Sequence, residues 1–185
     1  CMVGGKWTTF RAFAEQAADA VMAELGVKRV VSTLAFAIGG GADFPSSPGT
    51  LEAALSDRHG IDPLRAAHLV DVYGTRAGEV LAFCAGRDDD LRLRRGCEVT
   101  AAEIAFLARS EFVHSLADVL LRRTPLAIRG DVSASLVQLV AAILAAELGW
   151  DDRRTRREIE TFNNDLADYH GVSRDVLERR DCERT

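Results

Sequence analysis

Residues 100–148 read TAAEIAFLARSEFVHSLADVLLRRTPLAIRGDVSASLVQLVAAILAAEL, and this stretch decides the fold class. It opens on Thr100 with Glu103 three residues on, an S/T-x-x-E capping box whose side chains can satisfy backbone N–H groups at a helix start. The spacing predicts a helix from Thr100 through about His114. Leu116, Val119, Leu120 and Arg123 continue as a further helix, broken at Pro125, which has no N–H to donate. Ser133 opens the most apolar helix, carrying Leu136, Val140, Ile143, Leu144 and Leu148, and Gly149 ends it. Nowhere in the stretch do β-branched and polar residues alternate, as a half-buried strand requires.

The same reading extends outward in both directions. Downstream, Asp151 begins a polar helix to about Tyr169, followed by a frayed, charged tail. Upstream, Thr50 caps a helix ending near His59. Asp62 caps the next, with Pro63 at its first position, where a missing N–H costs nothing. That helix stops near Gly74, and Thr75 caps another to about Ala85. Arg87 to Gly96 reads as a charged, irregular loop. The first helix spans about Thr8 to Leu25, with Phe10, Phe13, Ala17, Val21 and Leu25 on one face and Gly26 as its stop. Between these helices Val30, Leu34, Phe36 and Ile38 fall on alternate positions. Gly39-Gly40-Gly41 and the Pro45–Gly49 run then form a loop, with a domain boundary expected near Pro48. The expected fold class is all-α, several short packed helices over 49–185 after a short leading unit over 1–48. Short loops should set neighbouring helices antiparallel.

Composition bounds the function. At 185 residues the chain is one domain, or one plus a fragment. Its 48% hydrophobic and 28% charged content suits a globular core. A net charge of −5 provides no basic footprint for nucleic acid and no positive field toward anionic membranes. Four cysteines without a C-x-x-C pair read as reduced cytosolic thiols. The longest apolar run, Leu136 to Leu148, is interrupted by Gln138 and Glu147 and is too short to span a bilayer. The N-terminus has no charged region followed by an apolar one, so a signal peptide is not expected and the compartment is read as cytoplasmic.

Few motifs could carry chemistry. Gly39-Gly40-Gly41 leads into a proline-bounded loop rather than a helix, so it fails the dinucleotide fingerprint and reads as a flexible linker. Gly4-Gly5-Lys6-Trp7-Thr8-Thr9 holds two readings. It is a helix start with a surface lysine, or an anion or cofactor site. In the second reading the glycines allow close backbone approach, Lys6 brings a point charge, and the threonines bring hydroxyls beside open N–H groups. His59, His68, His114 and His170 share no metal-ligand spacing, and Glu111 with His114 makes only two ligands, so no metal site is expected. Ser115 beside His114 is weak as a nucleophile pair, because adjacent helical residues do not face each other. Asp118 and Arg122 read as an intrahelical ion pair. Arg153, Arg154, Arg156 and Arg157, flanked by acids, read as a solvated face. No complete active site is present.

Three segments resemble a known family in its order. Gly4-Gly5-Lys6-Trp7-Thr8-Thr9-Phe10-Arg11 closely resembles the run that ends the flavin domain of FAD-dependent glycerol-3-phosphate dehydrogenases and alpha-glycerophosphate oxidases. Leu69 to Leu81, with Tyr73-Gly74-Thr75, resembles a helix ending in Tyr-Gly followed by one starting at Ser/Thr. Glu103 to Leu126, with Ser115-Leu-Ala-Asp-Val-Leu-Leu-Arg-Arg-Thr124, resembles the family's most recognisable C-terminal segment. The likeness covers roughly residues 3–165.

The resemblance implies a helical cap on a flavin domain. The whole enzyme would oxidise sn-glycerol 3-phosphate to dihydroxyacetone phosphate, with hydride passing to FAD and electrons to quinone or oxygen. Residues 1–48 would be the last helix of the flavin domain and a linker. Only Gly4, Gly5, Lys6, Thr8 and Thr9 carry over to the cofactor side, with Lys6 facing the flavin pyrimidine edge or the substrate. No G-x-G-x-x-G opens the chain, so it is expected to be inactive by itself. The implied partners are the N-terminal FAD domain, glycerol 3-phosphate and quinone, with peripheral contact at the inner face of the membrane. A cap without its flavin domain should expose apolar surface on the first helix and near Leu120, favouring self-association. The alternative is a standalone helical interaction or regulatory module without catalysis. A complete small enzyme is a third reading.

Overall fold

The structure, a computed structural model, describes residues 6–182. Among these the fold is all-α. α1 runs Phe10–Glu24, α2 Pro48–His59, α3 Pro63–Tyr73 and α4 Ala77–Cys84. α5 covers Ala101–Ser110, α6 Ala134–Leu148, α7 Asp152–His170 and α8 Arg174–Cys182. The only strand-like pairing among the described residues is an isolated antiparallel bridge between Arg92 and Thr100. No described helix is long and apolar enough to cross a membrane.

Local chemistry explains most helix ends. Asp62 Oδ1 accepts from the Leu64 N–H (2.8 Å), with Pro63 in the first turn. Asp151 Oδ1 accepts from the Arg154 N–H (2.7 Å), and Ser133 Oγ from the Leu136 N–H (3.3 Å). Each satisfies one donor that has no partner inside its own helix. Gly149 and Gly171 end α6 and α7 in the left-handed conformation, at φ +67° and +66°.

The core centres on α5 and α6. Every residue from Ala102 to Ala108 is buried. Ile104 and Leu107 of α5 meet a core that includes Leu136, Val140 and Leu144 of α6, Phe162 and Leu166 of α7, and Leu177 of α8. Each such side chain contributes about 1.5–3 kcal/mol by leaving water. No residue of α1 is buried.

Several expectations from sequence are corrected. Ser47, not Thr50, holds the N-cap position of α2, and Thr50 lies inside the helix. Thr75 does not cap α4; its hydroxyl is committed to the carbonyls of Gly40 and Ala42. α5 ends at Ser110 rather than His114, because the chain reverses through Phe112 at φ +51°. Asp118–Arg123 forms a π-helical turn, closed by the Thr124 N–H donating to the Val119 carbonyl five residues back (3.1 Å). Leu120 is fully buried and so contributes nothing to the apolar surface expected near it. The tail is not frayed through Cys182, because α8 seats Leu177 in the core and Arg180 donates to the Val132 carbonyl (2.9 Å).

Candidate functional site

Gly4 and Gly5 lie outside the described residues. Lys6 stands in extended backbone (φ −146°, ψ 139°) at the start of a 3-10 turn over Trp7–Thr9 that runs directly into α1. Lys6, Trp7, Thr8 and Thr9 are all exposed. The Thr9 hydroxyl donates to the Lys6 carbonyl (3.0 Å), which ties the turn to itself. The turn therefore leaves the Lys6 ammonium and the Thr8 hydroxyl exposed, while the Thr9 hydroxyl is held by the Lys6 carbonyl. Such a set fits one side of a flavin or an anion and cannot enclose it, so further walls must come from other chain segments.

A strap of residues 29–36 lies along α1 through polar contacts. One Arg11 guanidinium nitrogen donates to the carbonyls of Thr33 (2.5 Å), Phe36 (2.6 Å) and Leu34 (3.3 Å). Glu15 Oε1 accepts from the Thr33 N–H (2.5 Å) and the Ser32 hydroxyl (2.8 Å). The Thr33 N–H and Ser32 hydroxyl hold the Glu15 carboxyl below its usual range. Arg29 pairs with Asp19 (2.7 Å) and Glu15 (3.2 Å).

Beyond the strap the glycine run meets the helical body. Gly40 crosses the Tyr73–Gly74 backbone so closely that a Cβ on Gly40 would overlap the Tyr73 carbonyl and stand 2.7 Å from Gly74 Cα. Gly74 has φ +57° and ψ −133°, a conformation that side chains disfavour. The Thr75 hydroxyl latches the crossing with contacts of 3.1 Å to the Gly40 carbonyl and 2.8 Å to that of Ala42. Within the run read as a flexible linker, Gly40 thus forms a close backbone junction, while Gly39 and Gly41 on either side are exposed.

Behind the junction lies a buried charge centre. Glu103 is 1% exposed and receives Arg65 (2.5 Å), His68 (3.1 Å) and the Tyr73 hydroxyl (3.0 Å). Burial alone would raise the Glu103 carboxyl, but the His68 hydrogen bond and the Arg65 charge outweigh it and hold it low. Burial and the facing Glu103 charge push the Tyr73 phenol up. Nearby, Arg76 and Arg123 both donate to Glu111, at 2.9 and 2.8 Å.

A family model of the C-terminal domain of alpha-glycerophosphate oxidase matches residues 31–155. The chain belongs to that family. It is 32% identical over 182 residues to the mitochondrial glycerol-3-phosphate dehydrogenase of Arabidopsis thaliana, a match covering 91% of this chain and 29% of the relative. It is 28% identical over 182 residues to the glycerol-3-phosphate dehydrogenase of Synechocystis, covering 91% and 32% respectively. With that of Mycobacterium leprae it shares 32% identity over 168 residues, covering 88% and 28%. The chain therefore spans about 29% of the length of the first of these relatives.

The other residues weighed from sequence fall apart as a site. Glu111 is held by Arg76 and Arg123, so its carboxylate is engaged away from any pairing with His114. The Ser115 hydroxyl donates to Asp118 (2.9 Å), which also accepts the His114 and Ser115 N–H groups. Asp118 meets Arg122 at 2.9 Å, the ion pair expected from their spacing. No group of three or more His, Cys, Asp or Glu is placed to hold a metal among the described residues. Arg154, from the basic cluster, lies over the Trp150 ring at 4.9 Å and donates to the His114 carbonyl (3.0 Å).

Sequence reasoning missed Arg11, Glu15 and the Glu103 centre. Arg11 stood inside the quoted family run, yet its partners lie 22–25 residues away, beyond any local pattern. Glu103 was visible as half of a capping box. Thr100 does accept the Glu103 N–H (3.2 Å), but the Glu103 carboxylate turns inward to Arg65 and not back to Thr100.

Proposed function

We propose that this chain works as the C-terminal part of an FAD-dependent glycerol-3-phosphate dehydrogenase. The whole protein converts sn-glycerol 3-phosphate to dihydroxyacetone phosphate and passes electrons to quinone. Residues 1–48 are the last helix of the flavin domain and its linker, and 49–185 are the helical cap. The protein acts in the cytoplasm, peripheral to the inner face of the cell membrane. The observation that carries this reading is the apolar surface left open on the leading segment. Trp7 is 92% exposed, Val30 93% and Phe36 69%, with Phe10, Val21, Leu25 and Leu34 also exposed. A surface of that kind is built to be covered, and relatives of which this chain spans only about 29% supply the further chain for it, which we take to be the flavin domain. Without it, the isolated chain self-associates through the same face.

Bound FAD would supply the hydride acceptor. The chain's own contribution is the Lys6 turn. The Lys6 ammonium would face the flavin pyrimidine edge or the substrate and would stabilise negative charge there. By the resemblance, Gly4 and Gly5 would allow close approach of a ligand, and Thr8 and Thr9 would add hydroxyls on the cofactor side. The test is to read the DNA upstream of the Cys1 codon and express the extended frame. The extended protein is expected to purify yellow and to reduce a quinone analogue when given sn-glycerol 3-phosphate. The 185-residue chain should be colourless. A start codon with nothing upstream, or a colourless extended protein, would turn the assignment to a standalone interaction module.

A further inference from the structure

α1 has an unusual attachment. With no buried residue, it has no apolar contact deep enough to fix its direction. Its hold on the strap is polar and concentrated in two side chains one turn apart. Arg11 gathers the Thr33, Leu34 and Phe36 carbonyls, and Glu15 takes the Ser32 and Thr33 donors. Charge-assisted hydrogen bonds of this kind are about twice as strong as neutral ones and are directional. The strap is then fastened to the body at the Gly40 crossing by Thr75. Lys6 lies one 3-10 turn before α1, with Arg11 at the helix's second position.

We propose that Arg11 and Glu15 are positioning residues for Lys6: they lash α1 to the 29–36 strap, which the Gly40–Gly74 crossing fixes to the helical body, so that the body sets where the Lys6 turn stands. The catalytic meaning of that placement rests on the proposed function. The clamp itself does not. Arg29 completes it by bridging Asp19 and Glu15, and Arg29 charge contributes to keeping both carboxyls low. The surrounding arrangement explains why the exposed strap can keep one path. The three carbonyls that Arg11 takes lie outside helix and strand, and that of Thr33 also accepts the Phe36 N–H in a turn (3.1 Å).

The test measures position, not activity, on the full 185-residue chain. Cys182 is exposed while Cys84 and Cys97 are buried, so Cys182 accepts a spin label without touching the core. With Lys6→Cys as the second label site and Cys1→Ser to remove a competing thiol, pulsed electron resonance reads the distance between the Lys6 position and the helical body. Diluted in an excess of unlabelled chain, so that only distances within one chain are read, the labelled parent is expected to show one narrow distance distribution. Arg11→Ala and Glu15→Ala should each broaden it by about twofold or more, as the local hold opens. Glu15→Gln keeps an acceptor for the Thr33 N–H and should stay narrow. The melting temperature should be unchanged throughout, since α1 contributes nothing to the core. An unbroadened distribution in both alanine variants overturns the clamp. So does broadening that appears only with loss of the cooperative melt. Failure of the flavoenzyme reading shows separately, as a colourless extended protein, and leaves this distance measurement untouched.

Discussion

Replacing Glu103 by glutamine tests the buried charge centre. The carboxylate receives Arg65, His68 and the Tyr73 hydroxyl at a site 1% exposed. Glutamine keeps the shape but removes the charge, and turns an N–H2 donor toward donors. Arg65 is itself buried, and its remaining acidic neighbour is Asp90 at 3.8 Å. Breaking a buried ion pair from one side costs about 3–5 kcal/mol, and the surviving Asp90 places this case near about 3 kcal/mol. For a domain of this size that lowers the melting temperature by about 6–12 °C. The pH dependence has a definite sign. Glu103 is held below its usual 4.5, so its stabilisation is full above that value and is lost as pH falls through its lower native pKa. Thermal unfolding followed by circular dichroism across an acid series should show the gap between parent and Glu103→Gln closing at low pH. A gap below about 1 kcal/mol at neutral pH, the range of a surface substitution, would refute the reasoning. So would a gap that stays constant into acid.

Gly40→Ala cannot fit beneath the Tyr73 carbonyl and must open the junction, losing the one Thr75 hydroxyl proton shared between the Gly40 and Ala42 carbonyls. At about 1 kcal/mol for that shared bond, the strap should open at least roughly fivefold more often, read as faster limited proteolysis within residues 27–47 with an unchanged melt of the body. Phe112 is 89% exposed at φ +51°, so Phe112→Gly should stabilise the fold by about 1 kcal/mol in urea unfolding; a loss of stability would show that its ring makes a contact worth more than the strain. Burial pushes the Cys84 thiol up to about 12 and raises Cys97 as well, which keeps reactive thiolate scarce. A thiol reagent should therefore modify Cys182 in the folded chain, and Cys84 and Cys97 only after unfolding.

The all-α class, the order of the helices and most of their ends were legible in the sequence. These depend on interactions within three or four residues: the Asp62, Ser133 and Asp151 caps, the Pro63 start and the Gly149 stop. The family was legible in short motifs for the same reason, since local chemistry constrains them residue by residue. Only the tertiary structure decided what those motifs hold together. Glu103 finds Arg65 38 residues away, and Thr75 reaches Gly40 across 35. No local periodicity encodes such partners, because they exist only once α3 and α5 have packed. The same packing turned Thr75 from a helix cap into a latch, Gly40 from a linker into a junction, and the charged tail into α8 by giving Leu177 a core to enter.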